Sequence, residues 1–281
     1  MIVTRFAPSP TGYLHLGHAY AAVFAHERAC GGRFLLRVED IDPSRARPEF
    51  VQAIFDDLSW LGLTWDGPVI LQSERFPAYR EALDRLVRMD LLYPCFCTRS
   101  EIAEEIARAS EAPHGPEGPL YPGTCRGRSS TERQARMSAG DSFALRLDAA
   151  RAAQRIPPLI FRNDGETIAV DPLLFGDVVL ARKEMPASYH LAVVVDDAFQ
   201  GVTLVTRGLD LLPATHVQRV LQELLGLPAP CYAHHRLILD ANGRKFSKRD
   251  RAVTLRALRD TGATPENILA MLGDFAKLRG G

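Results

Sequence analysis

Residues 7–18, Ala-Pro-Ser-Pro-Thr-Gly-Tyr-Leu-His-Leu-Gly-His, constrain this chain more than any other segment. Ile2, Val3 and Phe6 before them read as the end of a strand, which Pro8, Pro10 and Gly12 stop. The Ala-rich run 19–29 after them reads as a helix. A strand, a Gly-containing turn and a helix N-terminus make a cradle for a phosphate, because backbone N–H groups and the helix dipole point at the anion. The Gly-x-Gly-x-x-Gly and Gly-Lys-Ser/Thr versions of that cradle are absent, and His15-Leu16-Gly17-His18 stands in their place.

Phe34-Leu35-Leu36-Arg37-Val38 reads as a second strand after the Gly31-Gly32 turn. Strand, helix and strand within forty residues make a βαβ unit and hence a parallel sheet, so the chain is expected to be α/β. Residues 48–61 and 76–89 read as helices with Phe50, Ile54, Leu58 and Leu61, then Tyr79, Leu83, Leu86 and Val87, each set on one face. Residues 108–130 are rich in Pro and Gly and read as an irregular loop, followed by strand-like pieces at 143–147 and 178–181. Residues 91–185 are therefore expected to be an α+β insertion into a parallel-sheet domain made of 1–90 and 186–250. β patterning resumes at 191–195 and 202–206, and a helix follows at 215–225. Leu237-Ile238-Leu239 reads as a further strand, and 251–281 as a short C-terminal helical segment with a frayed end.

With 34 basic and 34 acidic residues the chain carries no net charge, which argues against an extended, sequence-independent RNA surface. A local basic cluster nevertheless stands at Arg244, Lys245, Lys248, Arg249 and Arg251. No apolar run approaches the ~20 residues of a membrane span, and no basic-then-apolar leader opens the chain. A cytoplasmic location without membrane partners is expected from those two observations, with a monomer as the default. The five cysteines are too few for a disulfide framework. Cys30 and Cys231 are isolated and read as small buried hydrophobes.

Arg244-Lys245-Phe246-Ser247-Lys248-Arg249 follows the turn dipeptide Asn242-Gly243. Cations on such a loop suit a polyphosphate whose charge grows in a transition state. The pair formed by His15-x-Gly17-His18 and Lys245-x-Ser247-Lys248, in that order, resembles the two signature motifs of class I aminoacyl-tRNA synthetases. Phe246 and Arg249 depart from the usual Met and final Ser, as glutamyl-type enzymes commonly do. That resemblance implies a Rossmann-type catalytic core and an ATP site of His15, Gly17, His18, Lys245, Ser247 and Lys248. His15, His18 and Lys248 would stabilise the phosphates, with Mg²⁺ bridging them.

A glutamate substrate calls for arginine, whose planar fork matches a carboxylate. Arg5 and Arg207 both sit at strand ends, where α/β sites form, and Glu39 ends the second strand, where it could meet an ammonium group. Asp40 and Asp42 read as loop-capping acids. Arg-Phe-Ala-Pro-Ser-Pro-Thr-Gly from Arg5, Arg-Val-Glu-Asp-Ile-Asp from Arg37 and Tyr-His-Leu-Ala from Tyr189 resemble glutamyl-tRNA synthetases. By that resemblance Arg5, Ala7, Ser9, Glu39, Tyr189 and Arg207 would bind L-glutamate.

Cys95, Cys97 and Cys125 supply three thiolates, one short of a structural Zn²⁺ site. His114 is the chemically ordinary fourth ligand. Tyr121, in Tyr121-Pro122-Gly123-Thr124-Cys125, matches the Tyr-x₃-Cys half-site of one glutamyl-synthetase-like family. The basic loop leaves only a short remainder of chain, so an anticodon-binding domain is expected to be absent. This shortened plan resembles the family of glutamyl-queuosine tRNA(Asp) synthetases. The resemblance implies ATP-dependent activation of glutamate, then its transfer to the cyclopentenediol of queuosine in the anticodon of tRNA(Asp). A paralogue charging a tRNA 3′ end, an adenylate-forming nucleotidyltransferase that uses no tRNA, and a silent RNA-binding paralogue are the alternatives.

Overall fold

The computed structural model describes residues 1–108, 114–238 and 254–277. Along the chain run β1 (Val3–Phe6), α1 (Leu16–Arg28), β2 (Arg33–Val38), α2 (Pro48–Trp60), β3 (Ile70–Leu71), α3 (Phe76–Arg88), β4 (Leu92–Cys95) and α4 (Arg99–Arg108). Next come β5 (His114–Gly115), β6 (Gly118–Pro119), α5 (Ser130–Ser138), β7 (Ala144–Leu147), α6 (Ala149–Arg155), β8 (Ile160–Asn163) and β9 (Glu166–Ala169). The remainder holds β10 (Val179–Arg182), α7 (Tyr189–Gln200), β11 (Leu204–Gly208), α8 (Ala214–Leu224), β12 (Cys231–His235), α9 (Leu255–Asp260) and α10 (Pro265–Lys277).

These elements form two compact units. The first comprises residues 1–74, 202–211 and 230–281. Within it β1, β2 and β3 are parallel neighbours, and β11 pairs in parallel with β12. Thr203 ties β11 to β1, donating its N–H to Val3 O at 3.0 Å and accepting the Val3 N–H on Oγ1 at 2.9 Å. The expected βαβ unit is thus present. α1 packs its small residues Ala19, Ala22 and Ala25 against Phe6, Phe34 and Leu36, in a core that Ile54, Leu58, Leu255, Ile268 and Leu272 close. Small side chains on α1 let its backbone approach the sheet closely.

The second unit comprises residues 75–201 and 212–229. β4, β7 and β10 form an antiparallel sheet in the order β10-β7-β4, and β8 and β9 pair with each other as an antiparallel hairpin. α3, α7 and α8 bring together Tyr79, Leu83, Leu86, Leu191, Val194, Val217 and Leu221, all buried. The boundary between units falls before α3 rather than after residue 90, because α3 packs on α7 inside the second unit.

Three local expectations are corrected. Residues 191–195 are not a strand but the interior of α7, which Ser188 caps by accepting the Leu191 N–H. α7 buries Leu191, Ala192, Val193, Val194, Asp196 and Asp197 on several faces, so no narrow apolar stripe betrays its helical period. The strand near Leu237 lies earlier, at β12, whose sequence Cys-Tyr-Ala-His-His lacks a run of aliphatic residues. Leu237 and Ile238 follow that strand, and Leu239 lies outside the described residues. Cys30 and Cys231 are exposed, not buried: Cys30 sits in the turn after α1 at φ +49°, and Cys231 opens β12. The sequence pattern also leaves α4, α5 and α6 of the second unit unmarked. Among the described residues no helix is long and apolar enough to cross a membrane.

Candidate functional site

The helix N-terminus expected at residues 15–18 is built by the histidines themselves. His15 is the N-cap of α1, and its Nδ1 accepts the Gly17 N–H at 3.1 Å. His18 Nδ1 reaches back to accept the His15 N–H at 3.2 Å, closing a capping box. With both Nδ1 atoms accepting, each neutral ring carries its proton on Nε2. The rings lie 3.8 Å apart, tilted by 35°. A Cβ on Gly17 would stand 3.0 Å from His15 Cε1, so a side chain there would press on the capping ring. Leu14 O accepts the Leu255 N–H at 2.8 Å, and His15 forms a single β-bridge with Thr254. Residue 254, a few positions past the second motif, is therefore pinned to the first. Lys245, Ser247 and Lys248 lie outside the described residues.

The carboxylate-binding candidates of the first unit gather at the C-terminal ends of their strands. Arg5, on β1, is buried and donates from Nη1 to Thr206 O at 2.9 Å. Arg207, on β11, is buried too; its Nε–H donates to His234 Nε2 at 3.0 Å, and its guanidinium carbon stands 5.5 Å from the Tyr232 ring centre. Burial pushes the His234 imidazole down to about 3, reinforced by Arg207, His235 and Arg5 and opposed by Asp210. Its ring is therefore neutral at physiological pH.

Glu39 follows β2, with its N–H bonded to Pro8 O at 3.0 Å and its carboxylate 3.8 Å from the fully buried Arg37. Ala7 is half-buried and Ser9 exposed in the loop between β1 and α1, beside these groups in sequence. Asp40 and Asp42 cap loops as expected: Asp40 accepts from the N–H and hydroxyl of Ser73, and Asp42 from those of Ser44. Tyr189 belongs to the second unit, where it begins α7 with its ring 5.7 Å from that of His190. His234 is absent from the residues singled out in the sequence, though the Tyr-x-His alternation of β12 places Tyr232 and His234 on one strand face.

The second unit gathers a separate cluster. The three Sγ atoms of Cys95, Cys97 and Cys125 lie within 4.8 Å of one another, and Cys97 and Cys125 are 3.5 Å apart. Tyr121 Oη lies 3.3 Å from Cys95 Sγ and 3.6 Å from Cys97 Sγ, and accepts the Cys125 N–H at 2.9 Å. Gly123, at φ +88°, bends the loop that carries both Tyr121 and Cys125. Around a tetrahedral Zn²⁺ with Zn–S bonds of ~2.3 Å, sulfur atoms stand about 3.8 Å apart. The Cys97–Cys125 separation and the distances from Tyr121 Oη to Cys95 and Cys97 are close to the edges of such a tetrahedron. His114, exposed on β5, is not part of this group.

Burial raises the Cys97 thiol to about 11 and the Tyr121 phenol above its ordinary range. Burial also acts to raise Cys125, but hydrogen bonds from the Phe96 N–H, Cys97, Arg128 and Tyr121 bring it down to about 7. The Arg146 guanidinium lies 3.8 Å over the Tyr121 ring. Tyr93 OH and Arg126 Nε both donate to Asp177 and brace the same end of the unit.

Buried guanidinium groups at strand ends can bind a carboxylate, and a helix N-terminus whose capping rings present Nε2–H can bind a phosphate. Residues 1–277 match the family model for the catalytic domain of class I tRNA synthetases (E and Q). The chain is 49% identical over 278 residues to the glutamyl-Q tRNA(Asp) synthetase of Rhodobacter capsulatus, covering 97% of this chain and 100% of that protein. It is 40% identical over 279 residues to the glutamate–tRNA ligase of Aquifex aeolicus, of which it covers 57%. Among solved structures, a glutamate tRNA ligase from Elizabethkingia meningosepticum, crystallised with its amino acid, superposes with a TM-score of 0.78 at 28% identity. That match covers 96% of this chain and 60% of the ligase. The chain belongs to the class I tRNA synthetases of the glutamate and glutamine type, in their catalytic domain.

Proposed function

We propose that this chain activates L-glutamate with ATP and transfers the glutamyl group to the cyclopentenediol of queuosine in the anticodon of tRNA(Asp). The observation that carries the choice of acceptor is the 49% identity to a glutamyl-Q tRNA(Asp) synthetase whose whole length the chain covers. The glutamate half is supported by the buried arginines Arg5 and Arg207 at the ends of β1 and β11.

In the first step a carboxylate oxygen of glutamate attacks the α-phosphorus of ATP. The bond between that phosphorus and the bridging oxygen breaks, and pyrophosphate leaves. His15 and His18 donate from Nε2 to the phosphate oxygens as charge grows there, and the N-terminus of α1 adds its dipole. Lys245, Ser247 and Lys248 would add two cations and a hydroxyl to this phosphate site, and Gly17 leaves room for the His15 ring. A Mg²⁺ accompanying ATP would neutralise part of the phosphate charge.

Arg5 and Arg207 hold the side-chain carboxylate of glutamate, which leaves its α-carboxylate to attack, and Glu39 holds its ammonium, with Ala7 and Ser9 at the loop edge. In the second step a queuosine hydroxyl attacks the carbonyl carbon of the mixed anhydride. The bond from carbonyl carbon to phosphate oxygen breaks and AMP leaves, its phosphate accepting the hydroxyl proton.

Cys95, Cys97, Tyr121 and Cys125 would hold one structural Zn²⁺, which would fix the fold of the inserted α+β part, an acceptor-type subdomain, and take no part in the chemistry. A monomeric, cytoplasmic enzyme whose partner is tRNA(Asp) belongs to the same reading. The 40% identity to a glutamate–tRNA ligase supports a second reading, charging of a tRNA 3′ end. ATP–pyrophosphate exchange tests the activation step: exchange should require glutamate and proceed without tRNA. Exchange that ignores glutamate would exclude both readings.

A further inference from the structure

We propose that His234 is a positioning residue that aims the Arg207 fork at the substrate carboxylate. The inference rests on the reading that Arg207 grips glutamate. β11 and β12 run in parallel with Arg207 directly opposite His234, so the two side chains leave the sheet on one face. The Arg207 Nε–H donates to His234 Nε2 at 3.0 Å, with both residues buried. Tyr232, two residues earlier on that face, lies under the guanidinium, and its ring is within 7° of parallel to the His234 ring. The guanidinium is thus held at its Nε and along one flat side. With Nε committed to His234, a bidentate carboxylate grip falls to the Nη1–Nη2 edge.

The acceptor is an imidazole, which burial keeps neutral. A carboxylate in that position would cancel the arginine charge and compete with the substrate. A neutral ring fixes the fork without doing either. The charged and titratable groups around the ring are Arg207 on β11, Arg5 on β1, His235 on β12 and Asp210 in the turn after β11. His235 plays no such part, since its Nδ1 lies 2.9 Å from Arg236 O and its ring packs edge-on against Tyr20 and Phe24 of α1.

The test compares His234→Phe, which keeps a ring and removes the acceptor, with His234→Gln, which restores an acceptor at similar reach. In glutamate-dependent pyrophosphate exchange, His234→Phe should raise the KM for glutamate about tenfold or more and leave the KM for ATP within about twofold. His234→Gln should recover most of the loss. The Arg207 Nε–H resonance, assigned by its disappearance in Arg207→Lys, should exchange slowly with water in wild type and His234→Gln and rapidly in His234→Phe.

An unchanged glutamate KM in His234→Phe, or equal damage in both variants, overturns the inference. Slow Nε–H exchange lost only in His234→Phe, in a protein that shows no glutamate-dependent exchange, would uphold the positioning of Arg207 and reject the proposed function. Fast Nε–H exchange in wild type would reject the positioning itself.

Discussion

The Gly17 N–H donates to His15 Nδ1 at 3.1 Å, and a Cβ on Gly17 would stand 3.0 Å from His15 Cε1. Cap and cradle are therefore one object: the ring that caps α1 occupies the space a side chain at residue 17 would need. Gly17→Ala should push the His15 ring aside and lower the rate of pyrophosphate exchange by about ten- to a hundredfold. Glutamate binding, measured by calorimetry, should hold within about twofold. Unchanged exchange would separate the His15 ring from the phosphate site.

Tyr121→Phe removes one of the four donors around the thiol cluster and leaves the packing of the ring, with Arg146 above it, intact. Purified wild type and His114→Ala should each carry about one zinc per chain by elemental analysis. Tyr121→Phe should carry clearly less after dialysis against a weak chelator. Removing the metal with a strong chelator should lower the melting temperature of wild type, because ligand binding to the native state is folding energy.

Asp57 on α2 is buried, with Oδ1 4.0 Å from Arg259 Nη1 of α9 and Oδ2 lacking a hydrogen-bond partner. Burial raises its carboxyl to about 6, Asp56 adds to the rise, and Arg259 and Arg256 oppose it. A folded pKa above the unfolded one gives stability that is full below about pH 4 and lost as pH rises through about 6. Asp57→Asn should therefore match wild type in urea titrations at pH 4 and exceed it by about 1–3 kcal/mol at pH 8. A deficit at pH 8 would show that the ion pair with Arg259 outweighs the burial.

Much of the first unit is legible in the sequence because its signals are local. Proline, glycine and a capping residue mark the β1–α1 turn, and the strand ends that place Arg5, Glu39 and Arg207 follow from short apolar runs. α7 is illegible for the opposite reason: enclosed among α3, α8 and their side chains, it shows an aliphatic run without a polar face. β12 hides behind its histidines, and with it His234. The choice between His114 and Tyr121 needs the loop bent at Gly123, since spacing alone leaves both within reach.

Asp196, fully buried on α7, accepts from Tyr79 OH at 2.7 Å and pairs with Arg75 Nε at 3.1 Å. Arg75 also lies 3.8 Å over the Phe199 ring. Asp196→Ala should cost about 3–5 kcal/mol of stability in denaturant titration, because it removes an acceptor shared by a cation and a buried phenol. Tyr79→Phe should cost about 1 kcal/mol, since Arg75 still neutralises the carboxylate. Equal costs would mean that the hydroxyl, not the ion pair, holds α3 to α7.

The most direct measurement is the fate of labelled glutamate. The protein is incubated with radiolabelled glutamate, ATP and tRNA prepared from cells that make queuosine, and in parallel with tRNA from cells that lack it. Label should enter only queuosine-containing tRNA(Asp), and prior periodate cleavage of its cyclopentenediol should abolish it. Label on tRNA free of queuosine, or on tRNA(Glu), would contradict the proposed acceptor and favour charging of a 3′ end.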